Sequence, residues 1–582
     1  MAEITAVQVP HTVVLSEPPD SLAVGDSIQL TAQAFDALGS AIADVTFEWS
    51  SSDTTIAAVT QDGWVDGRSA GSVEITVGVG DLSAFRSLVI YRDQDNPDER
   101  AALEAFYYAT NGPEWKNNTN WLSDKPVGQW YGVETDDSGN VVGLDFNKNG
   151  LRGRLPVELA DLSNLKKLFL WGEWGGEPDL TGPIPPELGA LSNLTVLVLG
   201  NNELTGEIPP ELADLANLTR LSLDQNRLTG PIPPELGRLT LLTVLRLNDT
   251  RLDGPIPPEL GNLVGLRTLT IQSHSLAGPI PPELGRLRNL TTLVLTGYGI
   301  SGVIPPEFWN LSKLEWLTLS YTGLTGSISP RIGNLANLRV LQLVQAPGDF
   351  GRRGAGFTGS LPSELGRLSD LLGLRIGHHA FTGPLPPELG NLSNLRHLII
   401  AQAQGGQSRD GIGLTGAIPE ELGKLNSLEA LWLDSNHLSG PVPAGLGSLA
   451  RLIDLRLGNN DLEGRVPDAF LDLDLEQFQW QNNPLCLPAT PAFRAWRGRI
   501  RTAIGPYCAA NTIAAVEGAR GPWTIASPIS VEPLARCKAP WRSANTETGK
   551  PGQAERVVWT GGGGRVMHDP SIGCPSHRPG PP

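Results

Sequence analysis

The chain has 582 residues and a formal net charge of −18 at pH 7. That length exceeds one ordinary compact core, so several domains or a repeat array is expected. The acidic balance and the absence of any basic run argue against a nucleic-acid or anionic-membrane partner, because phosphate binding depends on clustered Lys and Arg. No apolar run is long enough to span a bilayer, and the opening Met1-Ala2-Glu3-Ile4-Thr5 lacks the basic and apolar regions of a signal peptide.

Residues 4–91 read as short strands separated by turns. Ile28, Leu30 and Ala32 form the inward face of one strand, with Gln29, Thr31 and Gln33 outward. Val45, Phe47 and Trp49 repeat the alternation, as do Val73, Ile75 and Val77, and glycines at 25, 39, 63, 67 and 71 mark turns. Strands at this spacing predict a β-sandwich with Trp49 as a core aromatic. The series Val24-Gly25-Asp26-Ser27-Ile28, Trp49-Ser50-Ser51-Ser52-Asp53, Ile56-Ala57-Ala58-Val59 and Ala70-Gly71-Ser72 resembles the bacterial group 2 immunoglobulin-like domain. The resemblance implies a spacer or adhesive module in an extracellular setting.

Residues 98–111 have helical spacing, with Leu103, Phe106 and Tyr107 on one side, and lead to Trp115, Trp121 and Trp130. After Val141 a repeat takes over. A glycine recurs at 153, 182, 206, 230, 254, 278, 302, 326, 359, 383, 416, 440 and 464, mostly in steps of 24. One unit carries Leu221, Leu223, Asn226, Leu228, Gly230, Ile232, Pro233, Pro234, Glu235 and Leu236. It resembles the leucine-rich repeat family in its plant-type subclass, over roughly 340 residues. The fold class is therefore an α/β repeat solenoid, right-handed, preceded by an all-β immunoglobulin-like sandwich.

Within one turn, Leu221 and Leu223 point into the core and leave Arg220, Ser222 and Asp224 on the open concave face. Asn226 turns inward to bond backbone groups at the end of the strand. Pro233-Pro234-Glu235 opens a short helical turn on the convex side. One turn cannot bury its own leucines, but stacked turns can. About fourteen strands at ~4.8 Å extend on the order of 65 Å. The glutamates at 158, 187, 211, 235, 259, 283, 307, 364, 388 and 421 form a solvated convex stripe.

The segment around Trp115 to Val133 resembles the N-terminal cap of plant-type repeats, without that cap's cysteine pair. Asn483-Pro484-Leu485-Cys486, Phe493, Trp496 and Cys508 resemble a C-terminal cap in which Cys486 and Cys508 are the disulfide candidate. Cys537 and Cys574 have no assigned role. The expected organisation is an immunoglobulin-like domain at 1–92, an N-terminal cap at 93–140, repeats at 141–484, a C-terminal cap at 485–508 and a disordered tail at 509–582.

No catalytic constellation stands out: there is no HExxH pair, no phosphate-cradling loop ending in Lys-Ser/Thr and no GxSxG elbow. The protein is read as a non-enzyme without cofactor or metal. Two departures from the repeat coincide. The ladder Asn, kept at 149, 202, 226, 436, 460 and 483, becomes Thr250, His274, Tyr298, Thr322 and His379. Thr imitates part of the Asn bonding, whereas Tyr and His are expected not to fit the same space. Long steps add loops at 171–179, 344–356 and 401–413, the last two bringing Arg352, Arg353 and Arg409. With Trp316, Tyr321, Arg375, His378, His397 and Trp432, these residues supply the aromatic and Arg chemistry of an interface. The lead reading is extracellular or cell-surface recognition of a protein or peptide on the concave face. Exposed Trp and Tyr also admit a glycan or cell-wall ligand, and a spacer without specific ligand is the third reading.

Overall fold

Alternation in the first ninety residues buries Val73, Ile75 and Val77 on a strand, Gly71–Val79, that pairs antiparallel with Leu82–Tyr91. The computed structural model describes residues 9–16, 21–69, 71–91, 96–123, 125–173, 180–345, 356–401 and 413–509. Ser21–Ala23 and Glu48–Ser51 complete the sheet of Gly71–Val79 and Leu82–Tyr91. Trp49, Leu30, Val65 and Ile90 close one apolar core with Val73, Ile75 and Val77.

One expected strand divides. Ser27–Gln29 pairs with Trp64–Gly67, whereas Ala32–Phe35 pairs with Thr12–Leu15. The chain changes sheets at Leu30, whose N–H donates to the Gly63 carbonyl at 2.8 Å. Leu30 stays buried, and Ile28 and Ala32 still pack on the core. The alternation therefore records which side faces inward, but not which sheet each half joins.

The repeats form a sheet of 16 strands running from Val133–Thr135 to Thr502–Ile504. All its pairs are parallel except the first, Val133–Thr135 with Val141–Asp145. Register is kept from turn to turn, as in Leu245↔Leu269 and Ile271↔Leu295. The leucines of successive turns merge into one continuous core that includes both caps.

The other side of each repeat is a 3₁₀ turn, such as Pro234–Arg238, with Pro at its start and Glu235 exposed. The recurring LxG glycine is conformational: Gly230 has φ 77°, a left-handed backbone that side chains resist. A second recurring glycine has a different cause. A Cβ on Gly237 would lie 2.4 Å from the Glu259 carbonyl oxygen of the next turn, so glycine lets consecutive 3₁₀ turns nest.

At the N-terminal end the helix Pro97–Ala109 is capped by Asn96, whose side chain accepts from the Asp98 N–H. It buries Phe106 against Trp115, Trp121 and Phe146. Buried Glu99 accepts the N–H of Val141 at 2.8 Å, tying the helix to the first parallel strand. At the other end Cys486 and Cys508 form a disulfide with Cα atoms 4.8 Å apart. Trp496, on the helix Pro491–Arg499, donates to the Leu473 carbonyl at 2.9 Å and covers the last turn. Cys537 and Cys574 lie outside the described residues.

Candidate ligand-binding face

The ladder sets the boundary between core and surface. Asn226 shows the regular arrangement: its amide donates to the carbonyls of Leu199 at 2.9 Å and Leu223 at 3.0 Å, and its Oδ1 accepts the Leu204 N–H at 3.0 Å. These are backbone groups that the repeat leaves without strand partners. Asn202, Asn436, Asn460 and Asn483 do the same.

His379 corrects the expectation that histidine cannot take this place. Its Nε2 is 3.0 Å from the Leu343 carbonyl, and its Nδ1 accepts the Phe357 N–H at 3.2 Å. A carbonyl only accepts and an N–H only donates, so the ring is neutral with its proton on Nε2. Burial pushes its pKa down to about 3. The imidazole, packed on Phe357 and Phe381, reproduces the donor and acceptor of the Asn amide. His379 is 4% exposed and belongs to the core rather than to the ligand-binding face.

Where the ladder residue is His274 or Tyr298, the side chain turns outward instead, and both are exposed. Their rings stack at 4.8 Å with an interplanar angle of 10°. Tyr298 also meets Tyr321 edge-on, at 6.3 Å and 76°. Tyr321 and His378 both follow the end of a sheet strand with left-handed backbones, φ 54° and 62°. That turn swings their side chains to the rim of the concave face. Burial raises the pKa of Tyr321, opposed by Arg375, and burial lowers that of Arg375, opposed by Tyr321. Burial, then the Arg375 charge, keeps His378 below its ordinary value. His274, Tyr298 and Tyr321 therefore make one aromatic strip past the ends of their strands, with His378 at the same end and Arg375 inside its strand two repeats further on.

The other candidates separate. Trp316 opens its strand, Trp316–Ser320, and donates from Nε1 to Thr318 Oγ1 at 3.0 Å. Five residues at ~3.3 Å each place it about 16 Å along the strand direction from Tyr321. His397 also opens a strand, and its Nε2 faces Glu429 at 3.9 Å. Burial, then Arg396, lowers its pKa to about 4. The single enclosed patch expected from sequence is thus two rims across one sheet. Arg352, Arg353 and Arg409 lie outside the described residues.

Trp432 belongs to a further cluster that sequence reading missed. The Arg456 guanidinium lies 3.6 Å over its ring and pairs with Asp454 at 2.9 Å. Nearby Asp434 is raised by burial to about 6. The available signal was two consecutive strands whose outward positions carry Trp432 and then Asp454 and Arg456. Between the charged ends the floor is neutral: Thr268, Thr270, Thr292, Thr296, Thr318, Ser320 and Gln342 occupy four adjacent strands. Among the described residues, no group of three or more His, Cys, Asp or Glu is placed to hold a metal ion.

Family models match this architecture in both parts. The bacterial Ig-like domain (group 2) model matches residues 11–86, and the leucine-rich repeat model matches 193–215, 217–239, 241–263, 289–311 and 427–449. The chain is a leucine-rich repeat protein. More particularly, it is one whose repeats, similar to those of plant leucine-rich repeat proteins, follow a group 2 bacterial immunoglobulin-like domain. A polygalacturonase inhibitor of Pyrus communis is 32% identical over 108 residues, 18% of this chain and 31% of that protein. The plant peptide hormone receptor RGFR1, solved in complex with RGF2, is 30% identical with a TM-score of 0.55, over 65% of this chain and 57% of that one. The Arabidopsis receptor kinase HAESA ectodomain, solved with an N-terminally extended IDA peptide hormone, is 26% identical with a TM-score of 0.51, over 71% and 73%. The chain thus spans about a third of the inhibitor and just over half of the first receptor.

Proposed function

We propose that this protein is a non-catalytic recognition module that binds a protein or peptide across its concave face, outside the cell or at its surface. The carrying observation is the set of His274, Tyr298, Tyr321, Arg375 and His378 on four of five successive repeats, with an Arg and two Tyr offering anchor chemistry. Similar receptors solved in complex with RGF2 and with an IDA peptide hormone support a peptide ligand. The Cys486–Cys508 bond supports an oxidising compartment. A glycan is the second reading, favoured by the neutral floor of hydroxyl side chains between aromatic rims.

Peptide and glycan arrays probed with the whole chain separate the two. For the ligand so found, Tyr321→Ala or Arg375→Ala should weaken binding by ~2 kcal/mol or more, as at interface anchors. Trp316→Ala should do so only for a ligand that spans both rims. Glu235→Ala, on the convex side, should leave calorimetric affinity unchanged. Full affinity in the Tyr321 and Arg375 variants, with loss at Glu235, would move the site to the convex stripe.

A further inference from the structure

The nesting of the 3₁₀ turns contains an internal substitution series. The position that Gly237 occupies is glycine in most repeats, and at 189, 261, 285, 366 and 390 an added Cβ would fall 2.3–2.5 Å from a carbonyl of the next turn. At Ala213 the following turn stands less closely nested than after the glycine turns on either side. At the same position the turn Pro306–Asn310 carries Trp309, which is 2% exposed. The turn after it, Pro330–Asn334, is the least closely approached among the consecutive repeat turns of the described residues. That turn has Arg331 in place of the usual Glu, and Ser329 caps it by accepting the Arg331 N–H at 3.2 Å.

The sheet side does not open to match. Thr292–Thr296, Trp316–Ser320 and Val340–Val344 pair residue for residue over five positions at both junctions. Bulk added on one side of a stack whose other side has fixed spacing rotates one repeat against the next. We infer that Trp309 is a wedge that tightens the bend of the solenoid between the repeats carrying Tyr298 and Tyr321, and so positions the two halves of the aromatic strip. Tyr298 and Tyr321, which stand on the two repeats that Trp309 parts, meet edge-on at 76°. Trp309 lies on the 3₁₀ turn of its repeat and not on the sheet, so its part is positioning.

Crystal structures of W309A and W309F test the geometry. In W309A the two turns should settle to the separation found after Ala213, and the Tyr298–Tyr321 geometry should change. W309F should keep the turns apart. An unchanged separation in a folded W309A would overturn the wedge. Should W309A not fold, G261W provides the reverse test: it should part Pro258–Asn262 from Pro282–Arg286, and nesting that survives would overturn the idea equally. The consequence for binding rests on the proposed site. With a peptide selected from a display library on the native chain, W309A should lose affinity tenfold or more and W309F should restore most of it. If R375A weakens that peptide but W309A does not, the site stands and its dependence on the wedge fails. If neither weakens it, the site itself fails, and the structural comparison still decides the wedge.

Discussion

His379 holds its place by two hydrogen bonds that require a neutral ring. Protonation would turn Nδ1 into a donor aimed at the Phe357 N–H, so the folded state binds its proton only near pH 3, against about 6.5 when unfolded. Between those values the unfolded chain holds more protons, and stability falls as pH falls, by at most about 1.4 kcal/mol per unit. His397, lowered to about 4, acts in the same direction. Asp434, raised to about 6, acts in the opposite one between 6 and 3.8, where the folded state holds more protons. Denaturant melts of His379→Asn should therefore show a shallower acid loss between pH 6.5 and 4 than the native chain. His379→Ala should cost roughly 1–3 kcal/mol for each backbone group left without a partner at neutral pH. An acid profile identical in the Asn variant and the native chain would show that His379 does not stay neutral.

At the scale of one repeat, the two sides of a strand have unequal energetic weight. Leu245 is fully buried, while neighbouring Arg246 faces outward, half-buried. Leu245→Ala should cost roughly 2–5 kcal/mol, because the leucines above and below hold the cavity open. Arg246→Ala should cost well under 1 kcal/mol, as usual for surface substitutions. Equal losses in urea melts would reverse the assignment of faces. Polar ladders assist the leucines. Beyond the Asn226 type, a second set at Asn193, Asn217, Asn289, Asn337 and Asn394 donates to carbonyls of the preceding repeat, at 2.7–3.0 Å. These residues recur before a core leucine, so the repeat displayed them, but their bonds cross between turns and appear only once the turns are stacked.

Among the described residues the apolar interior is in two parts: the sandwich core around Trp49, and the leucine core with its two ends. Separate cores predict separate cooperative units. Calorimetry should resolve two transitions. Trp49→Ala, with a cost of about 3–5 kcal/mol, should shift only the smaller one, and a shift of both by the same amount would join them into one unit. The leucine core should melt at a temperature sensitive to its caps, since neighbouring turns supply each other's burial.

The repeat, its inward leucines and its turn glycines were all legible in the linear order, because each follows from a local rule repeated at a fixed period. Gly230 must be able to reach φ 77°, and Leu221 must alternate with its neighbours, whichever turn lies above. What the period could not decide was where an exceptional side chain goes. His379 and His274 occupy equivalent places, yet one replaces the ladder amide and the other stacks outward on Tyr298. The choice depends on backbone groups brought in from the preceding repeat: the Leu343 carbonyl and the Phe357 N–H wait for His379. Likewise, Trp316 and Tyr321 are five residues apart in sequence and looked like one patch, but an extended strand carries them to opposite rims. The sequence by itself determined the architecture, through short-range rules. Only the tertiary structure decided which irregular residues share a surface, because that depends on contacts between turns 24 or more residues apart.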